Sequence, residues 1–317
     1  MGAAHGSRRP VSWLVTGAGG LLGRHLVRRL GDERVAALDR RDLDITDADA
    51  VDAALARHRP RVVANCAAWT ATDDAEKHPH AAWRVNVTGT RNLARACRRH
   101  GAVLLQLSSD YVFSGHARTP YREDAPTGPL NVYGRTKAAA ESAVLDVLPD
   151  AGYVVRAAWL YGVGGRNFVD TMIGLERTHA SVRVVDDQTG QPTWAEDLAG
   201  LLARLGAAAL AGAAPPGVYH GTSGGAVTWH GLAQEVFRLV GADPARVLPV
   251  TSGEFGLAAA RPGYSALGHD GWARAGIAPL RHWRDALHTA FPLLHQAHAQ
   301  NHRAHAPKGS PRASVGN

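Results

Sequence analysis

Val15-Thr16-Gly17-Ala18-Gly19-Gly20-Leu21-Leu22-Gly23 stands near the start of a 317-residue chain, where an apolar run gives way to a helical pattern. Residues 12–16 read as a β-strand and 20–30 as the helix that follows it. In such a strand–turn–helix unit each glycine has its own task. Gly17 permits the tight turn, Gly20 lets backbone approach a pyrophosphate, and Gly23 lets the helix pack against the sheet. Amides left free at the helix N-terminus then face the phosphates, so the stretch predicts a dinucleotide site. The spacing is Gly-x-x-Gly-x-x-Gly, one residue longer in its first gap than the commonest fingerprint.

Working outward, strands are expected over 34–38, 61–66, 102–108 and 153–159. Helices are expected over 47–58 with Asp47 as cap, 81–99 closed by Gly101, and 132–148. Strands alternating with helices predict an α/β fold, a Rossmann-type doubly wound parallel sheet occupying residues 11–161. After Tyr161 the pattern loosens. Short strands (182–185, 218–220, 247–250) mix with helices (195–205, 229–240). This predicts a smaller mixed α/β substrate lobe over 162–292, with some elements returning to the main sheet. Residues 293–317, rich in His, Ala and Pro, read as a disordered tail. Asn86-Val87-Thr88 fits a glycosylation sequon but falls inside an expected helix.

Composition narrows the function classes. With 45% hydrophobic and 20% charged residues the bulk of the chain is expected to fold. No apolar run approaches the ~18–20 residues that cross a bilayer, so no membrane partner is expected. Residues 1–10 carry Arg8 and Arg9, but the apolar run behind them is too short for a signal peptide. Two cysteines, Cys66 and Cys97, make no disulfide framework, and a reducing cytoplasm is the expected location. The net charge is +7, yet Arg8, Arg9, Arg303, Lys308 and Arg312 near the ends supply five of those charges. No basic stripe interleaved with aromatics is present, so nucleic acid is not expected as a partner.

Three further stretches carry chemistry. At the end of the second strand, Asp39 suits the ribose hydroxyls of NAD and Arg40 the 2′-phosphate of NADP. NADPH is the expected cofactor, with NADH as the alternative; a strand cap and solvated arginines are the plainer reading. Tyr133 and Lys137 lie four apart on one helix face, where the ammonium is expected to lower the phenol's pKa from ~10. Seven tyrosines and three lysines in this length make the chance expectation of such a pair about 0.07. A solvated surface pair is the alternative. Strand four ends in Ser108-Ser109-Asp110-Tyr111, at the edge where ligands bind in doubly wound sheets.

Together these segments resemble the dTDP-4-dehydrorhamnose reductase family within the extended short-chain dehydrogenase/reductase superfamily. Asp44-Ile45-Thr46-Asp47, Asn65-Cys66-Ala67-Ala68-Trp69-Thr70, Asn86-Val87-Thr88-Gly89-Thr90 and Ser108-Ser109-Asp110-Tyr111-Val112-Phe113 are similar to its segments around the cofactor. Asn131-Val132-Tyr133-Gly134-Arg135-Thr136-Lys137 is similar to its catalytic segment. Trp159-Leu160-Tyr161-Gly162, Asn167-Phe168-Val169, Asp187-Gln188-Thr189-Gly190-Gln191-Pro192-Thr193 and Arg261-Pro262-Gly263-Tyr264-Ser265 resemble its substrate-side blocks. The likeness spans about residues 11–292.

That resemblance implies reduction of the C4 keto group of a dTDP-4-keto-6-deoxyhexose by NAD(P)H. Tyr133 would donate the proton, Lys137 hold the nicotinamide ribose, and Ser109 bond the same oxygen. It implies cofactor contacts from Gly17, Gly20, Leu21, Leu22, Gly23, Asp39, Arg40, Asp44, Ile45, Cys66, Ala67 and Ala68, besides Tyr133 and Lys137. Asp110, Tyr111 and Trp159 would meet the sugar, and Arg261 the diphosphate. Ser109 replaces the family's usual Thr and keeps the hydroxyl. Some members bind Mg²⁺ through glutamates at a dimer interface; His25 stands at one such position and Glu196 fits another, so no metal is carried over and monomer and homodimer both stand. Gly268-His269-Asp270 also resembles reductases of antibiotic deoxysugar pathways. A dehydratase would want a Glu after Ser109 and Asp110, where Tyr111 stands. An NAD-retaining epimerase and a non-catalytic NADP-binding regulatory subunit are the remaining alternatives.

Overall fold

The computed structural model describes residues 12–31, 33–256 and 258–305. Six strands form the central sheet: β1 Ser12–Thr16, β2 Arg34–Leu38, β3 Val62–Asn65, β4 Val103–Ser109, β5 Gly152–Ala157 and β6 Gly217–His220. Their order is β2-β1-β3-β4-β5-β6 and every pairing is parallel. Parallel strands covered on both faces are apolar throughout, which is why Leu14, Val15, Val62, Val63 and Ala64 are wholly buried. On one face α1 (Leu21–Arg29) packs with Trp13, Val15, Leu105, Val155 and Tyr219. On the other, α2 (Ala48–His58), α3 (Thr90–His100) and α4 (Val132–Val147) bury Leu14, Val63, Leu104 and Val154. β1 lies between β2 and β3, so the order reverses there. A crevice opens at the carboxyl ends of these strands, the usual ligand position.

The second lobe holds α5 (Phe168–Thr178), α6 (Ala195–Leu210), α7 (Trp229–Leu239) and α8 (Trp283–His305). Three short strand pairs join it: Val182–Val185 with Val247–Val250, Leu160–Tyr161 with Thr193–Trp194, and Thr189–Gly190 with Val227–Thr228. Tyr161, Ile173, Trp194, Phe237, Trp283 and Phe291 form its core. Two elements of this half return to the first. β6 extends the main sheet, and α6 sets Leu198, Leu202 and Leu205 against Trp13 and Leu26.

Two expectations fail. The single helix over 81–99 is instead a short helix Pro79–Trp83, a π-helical stretch Arg84–Gly89, and then α3. Asn86 is buried and turns its amide onto the backbone of Trp69 and the hydroxyl of Thr136. A Cβ on Gly89 would lie 2.6 Å from Ile45 Cγ1, so this wider turn lets the chain wrap Ile45. Asn86 is thereby closed to a glycosyl group. The tail expected to begin at 293 is helical as far as His305, because Leu294 and Phe291 on α8 complete the second core. Residues 306–317 lie outside the described residues.

Candidate active site

The first part of the site is a groove of about 390 Å³ at the ends of β1, β2 and β3. Gly17 has φ +63, and a Cβ there would meet Ala67 N at 2.6 Å, so only glycine fits this crossing of β1 over β3. A Cβ on Gly23 would strike the Gly17 carbonyl oxygen; the helix is drawn onto its own turn. Asn65 fixes the opposite wall. It accepts from Thr16 Oγ1 at 2.6 Å and from Ala67 N at 3.1 Å, and donates to Gln106 at 2.7 Å. At the end of β2, Arg41 Nη2 donates to Asp39 Oδ2 at 2.7 Å, and this guanidinium holds the Asp39 carboxyl down at about 2. Backbone and side-chain bonds from Thr46 hold Asp44 below the usual carboxylate range. An open glycine cradle, free amides at α1 and paired charges at β2 fit a dinucleotide.

Nine of the residues expected to meet a cofactor line this groove: Gly17, Gly20, Asp39, Arg40, Asp44, Ile45, Cys66, Ala67 and Ala68. Leu21 and Leu22 do not, since Leu22 is in the core and Leu21 packs under Gly162 and Gly165. Gly23 serves the packing of α1. Thr46 and Trp69, from segments already singled out, line it too, and sequence reasoning missed Arg41, Arg84 and Val85. Arg41 adjoins a residue already singled out; Arg84 and Val85 arrive through the π-helical turn, which left no sequence signal.

The second part lies at the start of α4. Asn131 caps this helix, its Oδ1 accepting from Gly134 N at 2.7 Å. A Cβ on Gly134 would collide with the Tyr111 carbonyl, so the helix seats directly on the end of β4. Tyr133 is thereby brought beside Ser109, which is buried and whose hydroxyl favours the ionised phenol. Tyr111 presents its ring edge to Tyr133 at 5.9 Å. The expected lowering of the phenol by Lys137 is not found. Burial pushes Tyr133 up to about 12, with Ser109 opposing, while the Lys137 ammonium donates to the Leu107 carbonyl. Burial lowers Lys137 to about 8 against the pull of Glu141 one turn on.

Two of the expected substrate-side residues are engaged within the protein. Asp110 does not face the open cleft: it is 2% exposed, with Oδ1 accepting from Ser109 at 2.9 Å and Oδ2 from Ser265 at 2.6 Å. Arg261 donates to both oxygens of Asp73 at 2.6 and 3.2 Å. Trp159 sits in the left-handed region at φ 47, strain that an aromatic sandwich holds in place. Its indole stacks on Trp229 at 3.5 Å, and a Cβ on Gly190 would meet it at 2.5 Å. Trp229, Asp73 and Ser265 carried no role in the sequence reading, because each acts through a partner far away in the chain.

His25 and Glu196 bond one another at 2.7 Å, and Arg28 donates to the same glutamate oxygen. Among the described residues no group of three or more His, Cys, Asp or Glu converges as for a metal, and no helix is long and apolar enough to cross a membrane.

The RmlD substrate binding domain family model matches residues 11–295. A dTDP-4-dehydrorhamnose reductase of Streptomyces griseus is 62% identical over 285 residues, 89% of this chain and 93% of the relative. A dTDP-4-keto-6-deoxy-D-glucose reductase of Streptomyces niveus is 53% identical, over 89% of this chain and 97% of its own length. The crystal structure of dTDP-4-dehydrorhamnose reductase from Bacillus anthracis in complex with NADP superposes with a TM-score of 0.85 at 35% identity, covering 90% of this chain and 99% of that one. This chain belongs to the dTDP-4-dehydrorhamnose reductase family, oxidoreductases built on the extended short-chain dehydrogenase/reductase fold.

Proposed function

We propose that the chain reduces the C4 keto group of a dTDP-4-keto-6-deoxyhexose with NADPH in the cytoplasm, foremost dTDP-4-dehydro-L-rhamnose to dTDP-L-rhamnose. The observation that supports this is Tyr133 beside Ser109, with Lys137 one turn further on and close to Cys66 in the wall of the glycine-lined groove. The names of the relatives support it.

Gly17, Gly20 and the first amides of α1 would hold the cofactor's pyrophosphate, Asp39, Arg40 and Arg41 its adenosine ribose, and Lys137 its nicotinamide ribose. A reduced nicotinamide dinucleotide supplies hydride for the C4 carbon. Tyr133 gives its phenolic proton to the oxygen that gains charge there. Its raised pKa keeps that proton in place at neutral pH, which is what a reducing direction needs. Ser109 then stabilises the phenolate by hydrogen bonding, and the Lys137 ammonium supplies positive charge nearby. Removing the acid tests this directly. Tyr133→Phe is expected to lower kcat by ~10²–10⁴-fold with NADPH affinity unchanged; near-normal turnover would overturn the assignment.

NADPH is favoured over NADH because Arg41 neutralises Asp39 while Arg40 and Arg84 leave the groove cationic. Steady-state kinetics are expected to show kcat/KM for NADPH at least about tenfold above NADH, a gap that narrows in Arg41→Ala. An NADH preference would reverse this reading. A second substrate reading, a dTDP-4-keto-6-deoxysugar of an antibiotic pathway, is favoured by the 53% identical relative from Streptomyces niveus. The chemistry at C4 is the same in both.

A further inference from the structure

Asp110 is a buried carboxyl beside the reacting groups to which the mechanism above gives no task. Its partners are hydroxyls: Ser109 at 2.9 Å on one oxygen and Ser265 at 2.6 Å on the other. Ser265 is set in place by the second lobe, its amide donating to the Thr189 carbonyl at 2.8 Å while the Thr189 amide donates to Gly263. Ser109 has one proton and two acceptors within reach of it, the Asp110 carboxyl that it bonds and the Tyr133 phenol oxygen beside it. A bond to an ionised acceptor is about twice as strong as a neutral one, so a carboxylate wins that contest. A neutral acid instead donates to Ser109 Oγ, and the Ser109 O–H is released toward the phenol oxygen.

We propose that Asp110 is a positioning residue for Ser109: ionised it takes the Ser109 proton, and neutral it leaves that proton to the oxygen atoms beside Tyr133. Asp110 takes up one proton from solvent on becoming neutral and returns it on ionising, and with that proton the direction of the Ser109–Asp110 bond reverses. The inference deepens the reductase reading and rests on it for its kinetic consequence. The groups around Asp110 leave it room to titrate. Tyr111 on its own turn and Tyr133 from α4 are both pushed up by burial and stay neutral. Arg261 engages Tyr111 and Asp73, and Lys137 donates to the Leu107 carbonyl. Burial, opposed by the two serines, accordingly pushes Asp110 up to about 6.

Two measurements on the full chain decide it. In protein carrying ¹³C-labelled tyrosine, the Tyr133 resonance, assigned by its loss in Tyr133→Phe, is expected to step near pH 6. Ser265→Ala removes a donor to the carboxylate, so the step moves to higher pH; Asp110→Asn abolishes it. No step in the wild type, or one that both variants retain unmoved, overturns the inference. The kinetic arm follows the same groups. Wild-type kcat for ketosugar reduction is expected to fall about tenfold as pH rises through the step, with KM for NADPH constant and a flat profile in Asp110→Asn. A flat wild-type kcat through an observed step also overturns it. Absence of any wild-type turnover would count against the proposed function alone, because the resonance experiment still decides what Asp110 does.

Discussion

Tyr133 and Lys137 were legible as a pair because a spacing of four puts two side chains on one helix face whatever surrounds them. Their acidities were not, because burial is set by residues remote in sequence. Tyr111 packs on Tyr133 from just beyond the end of β4 and Leu107 takes up the Lys137 ammonium, and burial raises the phenol although Ser109 opposes the shift. Arg261 shows the same limit, since a guanidinium fork fits carboxylate as well as phosphate, and only the fold brings Asp73 to it. Asp110 gives a stability test at this scale. Burial raises its pKa in the folded chain to about 6, above the ordinary 3.8 of an aspartate, so the folded state binds the proton more tightly. Stability is therefore full below about pH 4 and falls as pH rises through about 6, by on the order of 3 kcal/mol. Asp110→Asn is expected to raise Tm at pH 7 and to lose that advantage near pH 4. An equal Tm change at both pH values would contradict the burial argument.

At the scale of elements, α4 is the piece on which the site is assembled. Asn131 starts it, Gly134 lets it touch β4, and Tyr133, Lys137 and Glu141 follow at successive turns. Glu141 is held from behind by Arg156 at 2.7 and 2.9 Å and by Ser108 at 2.5 Å. Breaking a buried pair leaves an unpaired charge, so Glu141→Gln is expected to cost ~3–5 kcal/mol in chemical denaturation. It also removes the charge that opposes desolvation of Lys137, so the ammonium is lost at lower pH and the alkaline fall in activity begins earlier. A stability loss below ~1 kcal/mol with an unmoved alkaline limb would refute this role. The strands were readable from apolar runs, and α4 from its cap. The π-helical turn was not, because it depends on Asn86 finding Trp69 and Thr136 rather than on any local preference.

Across the whole molecule, the sequence reading that split the chain near residue 161 meets a more entangled arrangement. β6 and α6 follow that point yet complete the first sheet, and Trp272 is buried against Tyr219 with its Nε1 donating to the His220 carbonyl. A fragment covering 12–161 would expose Trp13, Leu26 and Val155, which α6 and β6 cover in the intact chain. It is expected to show no cooperative thermal transition, whereas sharp unfolding of that fragment would mark 161 as a true domain boundary. Ser109 and Tyr133 stand together where β4 ends and α4 begins, Lys137 reaches toward Cys66 in the wall of the groove, and Trp159 stacks on Trp229 from the second lobe. That arrangement is read here as a ketosugar reductase. The most direct test follows NADPH oxidation by the purified chain with dTDP-4-dehydro-β-L-rhamnose and identifies the product by NMR. The account predicts oxidation dependent on both substrate and Tyr133, with a C4 alcohol as product. Tight NADPH binding with no oxidation in the presence of any dTDP-4-keto-6-deoxyhexose would contradict it.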